Sequence, residues 1–247
     1  MLGLPDGVTA CLFDMDGVVT RTAVVHAAAW KEMFDDFLRD WSSKHGVEFV
    51  PFDSDRDYEQ YVDGKPRLDG IRSFLESRSI SLPEGSASDP PGAETVVGLG
   101  NRKNELVVEV LKRDGVEVYD GSRHYITAVR AAGLRTAIVS SSANTVAVLT
   151  AAGITGMFDV RVDAQVAHER GLKGKPAPDT FLEAARMLSV DAKQAAVFED
   201  ALAGVAAGRA GDFGYVVGVD RTGQADALRE HGADVVVTDL AQLLDRE

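Results

Sequence analysis

The chain carries the sequence CLFDMDG at residues 11–17, where an apolar run over residues 8–13 gives way to glycine. A short apolar run of this kind predicts a strand of a parallel sheet that is buried on both faces. Two carboxylates, Asp14 and Asp16, stand at the end of that run. Because ligands bind beyond the carboxyl ends of the strands in open α/β sheets, we expect both carboxylates to face a crevice.

Two carboxylates at such a crevice suit phosphoryl transfer, in which one attacks phosphorus and the other handles the proton of the attacking or departing hydroxyl. A phosphate repels an anionic nucleophile by roughly 4 kcal/mol per charge pair, at a separation of about 4 Å and an effective dielectric of about 20. A cation must therefore offset the repulsion. The same spacing also fits an ordinary turn or a calcium-binding loop, so the interpretation depends on the other strand ends.

The 247 residues are 45% hydrophobic and 26% charged, which suits one large domain or a core with a smaller domain. A net charge of −13 argues against nucleic-acid or anionic-membrane partners, because an excess of Lys and Arg binds these. The one cysteine, Cys11, excludes an intrachain disulfide. No stretch approaches the roughly 20 apolar residues of a membrane span, and the first residues lack the pattern of an export signal. We therefore expect a cytoplasmic protein and a monomer, with a dimer left open.

Helical periodicity dominates the part of the chain that follows Asp16. Apolar residues recur at near-helical spacing over residues 23–41, with charged residues between them, which predicts an amphipathic helix. Further segments are predicted as helices at 55–62, 68–77 and 102–113, and as a loop rich in Pro, Gly and Ser at 82–92. This region shows no pattern typical of a strand.

From residue 119 onward, short apolar runs alternate with helical segments. Strands are predicted at 136–139, 195–198, 215–219 and 234–237, and helices at 145–152, 179–188, 202–210 and the carboxyl terminus. This alternation predicts right-handed βαβ units and a parallel sheet with helices on both faces. The expected fold class is α/β, with a Rossmann-like doubly wound parallel sheet core and an inserted all-helical cap.

The helical block lies between the first predicted strand and the others, so we interpret it as a cap domain inserted after that strand. The expected core comprises residues 1–22 and 121–247, and the expected cap comprises residues 23–120. A cap over strand ends is suited to act as a lid that excludes water from a reaction site. An acidic stretch within the cap, residues 49–61, has no assigned role and is also consistent with a solvated face.

Two further segments offer groups that can hold a phosphate. The turn SSSAN at residues 140–144 follows a predicted strand and leads into a helix, where hydroxyls and backbone N–H groups can bind phosphate oxygens. Lys175 precedes Pro176 and another helix, and its ammonium can neutralise charge on a transferring phosphoryl. Taken singly, a serine-rich helix cap and a loop lysine are both ordinary surface features.

An acid pair, Glu199 and Asp200, marks the end of the strand predicted at 195–198. Their oxygens, together with Asp14, suit an octahedral Mg²⁺ site, although Asp200 also suits the cap of the next helix. The joint arrangement is more informative than any single residue, because every acid, hydroxyl and lysine is predicted at the carboxyl end of a separate strand of one sheet.

The order of these groups resembles the haloacid dehalogenase superfamily over essentially the whole chain. Its four motifs match DMDGV at residues 14–18, Ser140, Lys175-Pro176 and Glu199-Asp200. Within it, the helical cap is similar to that of the beta-phosphoglucomutase group. The cap residues that carry the similarity are Thr20, Thr22, His26, Trp30, GKPR at 64–67 and RKN at 102–104.

The resemblance implies that Asp14 is the nucleophile that forms an aspartyl phosphate and that Asp16 is the general acid and base. Ser140 and Lys175 would grip the transferring phosphoryl. One Mg²⁺ per site would be held by four groups: the Asp14 side chain, the Asp16 main-chain carbonyl, Glu199 and Asp200. The implied substrate is a small phosphosugar.

The candidate substrate-binding residues are His26, Trp30, Gly64, Arg67, Lys103, Ser141, Ser142 and Asn144. His26 and Trp30 are four apart on one helical face, which suits a sugar and equally suits core packing. Arg67 offers a planar fork for a second phosphate that does not react, or is an ordinary loop arginine after a proline.

Two departures from the group's pattern leave the reaction open. Arg21 stands where the group usually has Asp, and Ala143 stands where its best-known members have a lysine that helps to bind the distal phosphate. The leading hypothesis is a beta-phosphoglucomutase that isomerises β-glucose 1-phosphate to glucose 6-phosphate, and the alternative is a sugar-phosphate phosphatase. A catalytically silent metal or sugar-phosphate binding module is the third hypothesis, and the complete acid and lysine set argues against it.

Overall fold

The computed structural model describes residues 1–244 and divides the chain into two compact units. The sheet unit comprises Met1–Thr22 and the residues from Val116 onward, and the helical unit comprises Ala23–Gly115. The second boundary therefore precedes the one expected after residue 120. The difference has a local cause, because Thr20 forms an antiparallel bridge with Val118 and keeps the returning chain with the sheet unit.

The sheet unit contains six parallel strands within the described residues, in the order β3-β2-β1-β4-β5-β6. The strands are β1 Ala10–Phe13, β2 Arg135–Val139, β3 Val160–Val162, β4 Ala195–Glu199, β5 Tyr215–Val219 and β6 Val235–Val237. The first strand is central, with β2 and β4 as its hydrogen-bonded neighbours. This order confirms the doubly wound α/β sheet.

Helices connect each strand to the next one. They are α1 Ala23–His45, α2 Arg67–Ser77, α3 Val96–Asp114, α4 Asp120–Ala131, α5 Thr145–Ala151, α6 Ala164–Arg170, α7 Asp179–Leu188, α8 Leu202–Ala210 and α9 Ala225–Glu230. Helices α7 and α8 have the predicted bounds. Helix α3 begins earlier than predicted, since the side chain of Thr95 accepts a hydrogen bond from Gly98 N and caps its first turn.

Successive side chains of β1 pack on opposite faces of the sheet, as strand geometry requires. Leu12 belongs to the hydrophobic core that includes Phe181 of α7. On the other face, the ring of Phe13 stacks on Phe198 at 4.5 Å and meets the edge of Tyr125 of α4 at 6.4 Å between centroids. Helices therefore cover both faces of the sheet.

Short elements account for most of the differences from the sequence prediction. Strand β3 and helices α6 and α9 were not predicted, because three to seven residues show too little periodicity to identify an element. The longer helix α4 was also not predicted. A 3₁₀ turn, Leu240–Leu243, stands where a terminal helix was expected. That expected helix extends beyond residue 244, outside the described residues.

The helical unit has its own aromatic core. Phe34 of α1 stacks on Trp30 and Phe52 at centroid distances of 5.4 and 5.1 Å, and it meets Phe74 of α2 at 4.1 Å. Helix α1 has an amphipathic sequence, and it packs against α3 along this core. The core of this unit is therefore formed by helices and by a loop at Phe52, and residues 23–115 contain no strand, as the all-helical prediction requires.

The acidic stretch at 49–61 has structural roles that the sequence did not assign. Asp57 is 3% exposed and pairs with Arg78, whose Nη2 lies 2.7 Å from its carboxylate. Asp35 of α1 accepts a hydrogen bond of 2.8 Å from Phe52 N. Residues Tyr58–Val62 form a π-helical turn where an α-helix was predicted. The exposed Asp53 and Asp55 fit the interpretation as a solvated face.

No helix among residues 1–244 combines the length and apolar character needed to cross a membrane.

Candidate active site

Asp14 and Lys175 form the centre of the site in the sheet unit. Asp14 follows β1, and its backbone N–H donates to Phe198 O of the neighbouring strand at 2.9 Å. The Lys175 ammonium donates to Asp14 Oδ1 at 2.5 Å and also to Glu199 Oε1. Lys175 is 2% exposed, and its Nζ lies 5.0 Å from the centroid of the Phe181 ring. One buried cation thus joins the acids that follow two adjacent strands.

Three buried carboxylates, Asp14, Glu199 and Asp200, each offer an oxygen within 4.8 Å of the others. With Lys175 as their cationic partner, three single negative charges and one positive charge leave two negative charges. A cluster of hard carboxylate oxygens with that charge fits a divalent cation such as Mg²⁺. Space is provided by Gly17, because a Cβ at this position would collide with the Asp200 carboxylate.

Burial and neighbouring charges shift the pKa values of the central pair. Burial raises the pKa of the Asp14 carboxyl well above its usual range, the charges of Glu199 and Asp16 raise it further, and Lys175 opposes the shift. Burial lowers the pKa of Lys175, but the carboxylates of Asp14 and Glu199 outweigh burial, so its pKa is raised. Lys175 therefore stays an ammonium at neutral pH, and a cation beside Asp14 would favour the carboxylate.

Asp16 has hydroxyl neighbours rather than a lysine. The Thr22 hydroxyl donates to Asp16 Oδ1, and Ser140 Oγ lies 3.5 Å from Asp16 Oδ2. The Thr20 and Thr22 hydroxyls are 2.7 Å apart, and Thr20 Oγ1 donates to Met15 O. These contacts fix the direction of the Asp16 carboxyl group, as a general acid or base requires.

The turn after β2 is organised by its own side chains. Ser140 Oγ accepts a hydrogen bond of 3.0 Å from Ser142 N, and Ser142 Oγ accepts one of 3.1 Å from Asn144 N. Thr145 Oγ1 donates to Ser142 O at 2.9 Å. The predicted phosphate-binding residues Ser141, Ser142 and Asn144 thus lie in an ordered turn, and Ser140 is the member that reaches Asp16.

The structure therefore brings together six predicted residues in the sheet unit: Asp14, Asp16, Ser140, Lys175, Glu199 and Asp200. The expectation that each group stands at the end of its own strand is wrong for Lys175. This lysine lies in the loop between α6 and α7, and its long side chain places the ammonium at the strand ends. The Lys175-Pro176 peptide bond is cis.

A second polar cluster lies within the helical unit. Lys103 Nζ lies 2.8 Å from His26 Nδ1 and 4.7 Å from the centroid of the Trp30 ring. An ammonium has no lone pair, so His26 Nδ1 accepts the hydrogen bond and the ring proton of a neutral imidazole lies on Nε2. Lys103 is 4% exposed, and Trp30 is buried against Phe34. Trp30 therefore belongs to the core and also forms a platform for the ammonium.

Arg67 begins α2 and lies near the same face of α3. Its Nε is 3.5 Å from the position that a Cβ at Gly100 would occupy, and Gly100 and Lys103 are three apart on α3. This Nε is buried and makes no hydrogen bond within the described residues. Burial lowers the pKa of Arg67. Gly64 precedes it in a turn with a φ of +70°, a conformation that suits glycine.

Sequence reasoning did not assign a role to Thr22, although it noted the residue. The available signal was its position six residues after Asp16, where the chain leaves the strand and a side chain can fold back on the acid. The loop that follows β5 was also missed, and its residues carry no recognisable motif. Lys103 and His26 are 77 positions apart, so helix packing alone reveals their contact.

Comparisons with known proteins identify similar sequences and folds. Residues 8–212 match the family model of the haloacid dehalogenase-like hydrolases. A beta-phosphoglucomutase of Mycobacterium bovis is 59% identical over 99% of this chain and 94% of its own length. A beta-phosphoglucomutase of Bacillus subtilis is 29% identical over 95% of this chain and 91% of its own. The crystal structure of a beta-phosphoglucomutase from Clostridium difficile matches 96% of this chain and 93% of that chain, with a TM-score of 0.71 and 26% identity.

Proposed function

The chain belongs to the haloacid dehalogenase-like hydrolases, in the beta-phosphoglucomutase-like group, and from this premise we propose that it converts β-glucose 1-phosphate to glucose 6-phosphate. One observation carries the chemical part of the proposal. Lys175 joins Asp14 to Glu199 in a buried cluster of three carboxylates, so a nucleophile, a cation and ligands for a divalent metal meet at one sheet edge. The 59% identity to a beta-phosphoglucomutase supports the choice of substrate.

In the proposed reaction, Asp14 carries the phosphoryl group and Asp16 moves the proton. The phosphoryl on Asp14 passes to the free hydroxyl of the sugar monophosphate while Asp16 takes the hydroxyl proton, which gives a bisphosphate. After the bisphosphate turns round, Asp14 attacks the other phosphorus. The P–O bond to the sugar breaks, its electron pair stays on the sugar oxygen, and Asp16 returns the proton to that oxygen.

The remaining groups of the sheet unit hold charge and geometry. Lys175 and Ser140 bind oxygens of the phosphoryl group, and the Thr22 hydroxyl keeps Asp16 directed at the sugar oxygen. Mg²⁺ held by Asp14, the Asp16 carbonyl, Glu199 and Asp200 would supply the charge that lowers repulsion between nucleophile and phosphate.

In this proposal the helical unit contributes groups that suit a sugar phosphate. Arg67 is a planar donor for the phosphate that does not react, and Lys103 with His26 binds sugar hydroxyls. Lys103 Nζ lies beside His26 Nδ1 and over the Trp30 ring, so an ammonium and an imidazole stand together, and both are groups that can bind sugar hydroxyls.

Hydrolysis of the same aspartyl phosphate by water is the second candidate reaction. Two observations favour it: Ala143 is exposed and offers no cation, and Arg21 pairs with Glu117 at 3.6 Å while its guanidinium lies 4.4 Å from the centroid of the Tyr119 ring. Neither position supplies the group found in the best-known mutases. A sugar-phosphate phosphatase needs only one phosphate site.

A phosphorus NMR time course with β-glucose 1-phosphate, Mg²⁺ and a trace of glucose 1,6-bisphosphate tests both reactions at once. We expect the glucose 6-phosphate signal to grow at the expense of the substrate, and the α-anomer serves as the matched control substrate. Growth of inorganic phosphate instead would replace the mutase with the phosphatase. Absence of both signals, with the folded protein in excess Mg²⁺, would reject both.

A further inference from the structure

The loop between β5 and α9, residues 220–224, is folded around one aspartate. Asp220 Oδ1 accepts hydrogen bonds from Thr222 N, Gly223 N and Gln224 N at 3.2, 2.7 and 2.9 Å. Asp220 N donates to Val237 O of β6 at 2.8 Å. The loop is thus anchored to the sheet, although none of its residues takes part in the proposed chemistry.

Arg221 extends from this loop to the chain that follows Asp16. Its Nε donates to Gly17 O at 2.7 Å, and its Nη1 donates to Thr238 O at 2.6 Å. The guanidinium carbon lies 3.6 Å from the centroid of the Tyr119 ring. The side chain is 15% exposed. A planar group that stacks on a ring and donates in two directions has few positions available to it, so it fixes the Gly17 peptide.

Gln224 extends from the same loop to the other acidic segment. Its Nε2 donates to the main-chain carbonyl of Asp200 at 3.1 Å. Gly17 and Asp200 are in direct contact, because a Cβ at Gly17 would collide with the Asp200 carboxylate. Arg221 and Gln224 therefore hold the two backbone segments that meet at the carboxylate cluster.

We propose that the loop 220–224 is a positioning element for the divalent-cation site, in which Arg221 fixes the main chain after Asp16 and Gln224 fixes the main chain at Asp200. This inference rests on the proposed function for the identity of the metal ligands. Groups that orient metal ligands from outside typically change metal affinity or activity by about 10–100-fold when they are removed. The hydrogen bonds that Arg221 and Gln224 give to these two segments go to main-chain carbonyls, so both residues act through the ligands and are positioning residues.

The test compares R221Q and Q224L with R209Q. Arg209 is the matched control because it also binds a main-chain carbonyl, Gly232 O, through Nε at 3.1 Å and Nη2 at 2.7 Å. Arg209 is in the last turn of α8, before β5, and Gly232 precedes β6, so both lie toward the amino ends of the strands, opposite the carboxylates. Magnesium chloride is titrated into each full-length protein in a calorimeter without substrate, and the Mg²⁺ concentration for half-maximal turnover is measured separately.

We expect R221Q and Q224L to raise both the Mg²⁺ dissociation constant and the half-saturating concentration by about 10-fold or more. R209Q should lower the Tm and leave both Mg²⁺ values at those of the wild type. Q224L is expected to fold even if R221Q does not, because Gln224 Oε1 is a buried acceptor with no hydrogen bond in the described residues. Excess Mg²⁺ should restore most of the turnover of Q224L.

Wild-type Mg²⁺ values in folded R221Q and Q224L would overturn the positioning role, and so would an equal loss of affinity in R209Q. These results differ from failure of the proposed function. In that case the wild-type protein itself would neither bind Mg²⁺ nor convert the sugar phosphate.

Discussion

The polar groups of the sheet unit and of the helical unit are built on different principles. In the sheet unit, Asp14, Lys175 and Glu199 come from three segments that are far apart in the sequence. They contact one another through ion pairs. In the helical unit, Lys103 rests on an indole ring and a histidine from one neighbouring helix. The first arrangement depends on charge balance and the second on packing. Substitutions in the sheet unit should therefore change the rate of chemistry, and those in the helical unit the affinity for substrate.

The largest effect is expected from D14N, which removes the nucleophile and leaves Lys175 paired with Glu199. Turnover should fall by about 10⁴-fold or more, because loss of a nucleophile removes the covalent route. The free energy of unfolding should change by no more than about 2 kcal/mol. Steady-state assays and denaturant titrations measure the two quantities.

The matched control for D14N is D57N, which changes a buried aspartate of the helical unit that pairs with Arg78. This variant should lose stability and retain its turnover number. If D57N lost as much activity as D14N, the assignment of the chemistry to the sheet unit would be wrong.

The next largest effect is expected from K175M, which leaves Asp14 and Glu199 buried without their shared cation. Breaking a buried ion pair by removing one partner typically costs about 3–5 kcal/mol, and urea unfolding should show a loss of this size. K193M, which breaks an exposed pair with Asp212, should change stability by less than about 1 kcal/mol. Equal losses of stability in the two variants would show that the buried ion pairs of Lys175 contribute no more to folding than an exposed ion pair.

A smaller effect, in a different parameter, is expected from K103M. Methionine has a similar length and can still cover Trp30, so the fold should be retained while a polar contact to the sugar is lost. We expect KM for the sugar phosphate to rise by about 10-fold and kcat to change less. K112M, at an exposed lysine of the same helix, is the control. A fall in kcat with an unchanged KM would assign Lys103 to the chemistry instead.

The topology of the sheet explains which residues of the site could be predicted from the sequence. Asp14, Asp16, Glu199 and Asp200 were predicted from apolar runs that end in acids, because parallel strands bring their carboxyl ends to one edge whatever the length of the chain between them. Lys175 was identified by its motif in a loop before a helix, but its separation from a strand by helix α6 was not predicted, since strand β3 and helix α6 are too short to show a period.

The helical unit was harder to predict in detail. The contact between Lys103 and His26 depends on how α1 packs on α3. A sequence pattern identifies the buried face of each helix, but it does not show how that face aligns with the neighbouring helix. The same limit applies to Arg221, which reaches Gly17 across 204 positions. Side chains that act between elements leave no local signal.

The smallest effect on activity is expected from modification of Cys11, in the buried first strand. Burial raises the pKa of its thiol, so the folded protein keeps the thiol protonated where an exposed cysteine would ionise, and the thiolate is the reactive form. Alkylation by iodoacetamide at pH 8.5 should be at least about 100-fold slower in the native protein than in urea. Activity should survive the treatment. Rapid labelling of the native protein would indicate that β1 opens readily.

The chain leaves the sheet unit and returns to it at one place. Thr20 bridges Val118, Arg21 N donates to Glu117 O at 2.9 Å, and Tyr119 N donates to Val19 O at 3.0 Å. The segments before and after the inserted helices are therefore hydrogen-bonded to each other within the sheet unit, whatever sequence lies between them. An insertion at such a point is an interchangeable part. Changes in the inserted helices therefore leave the strand ends and their carboxylates in place.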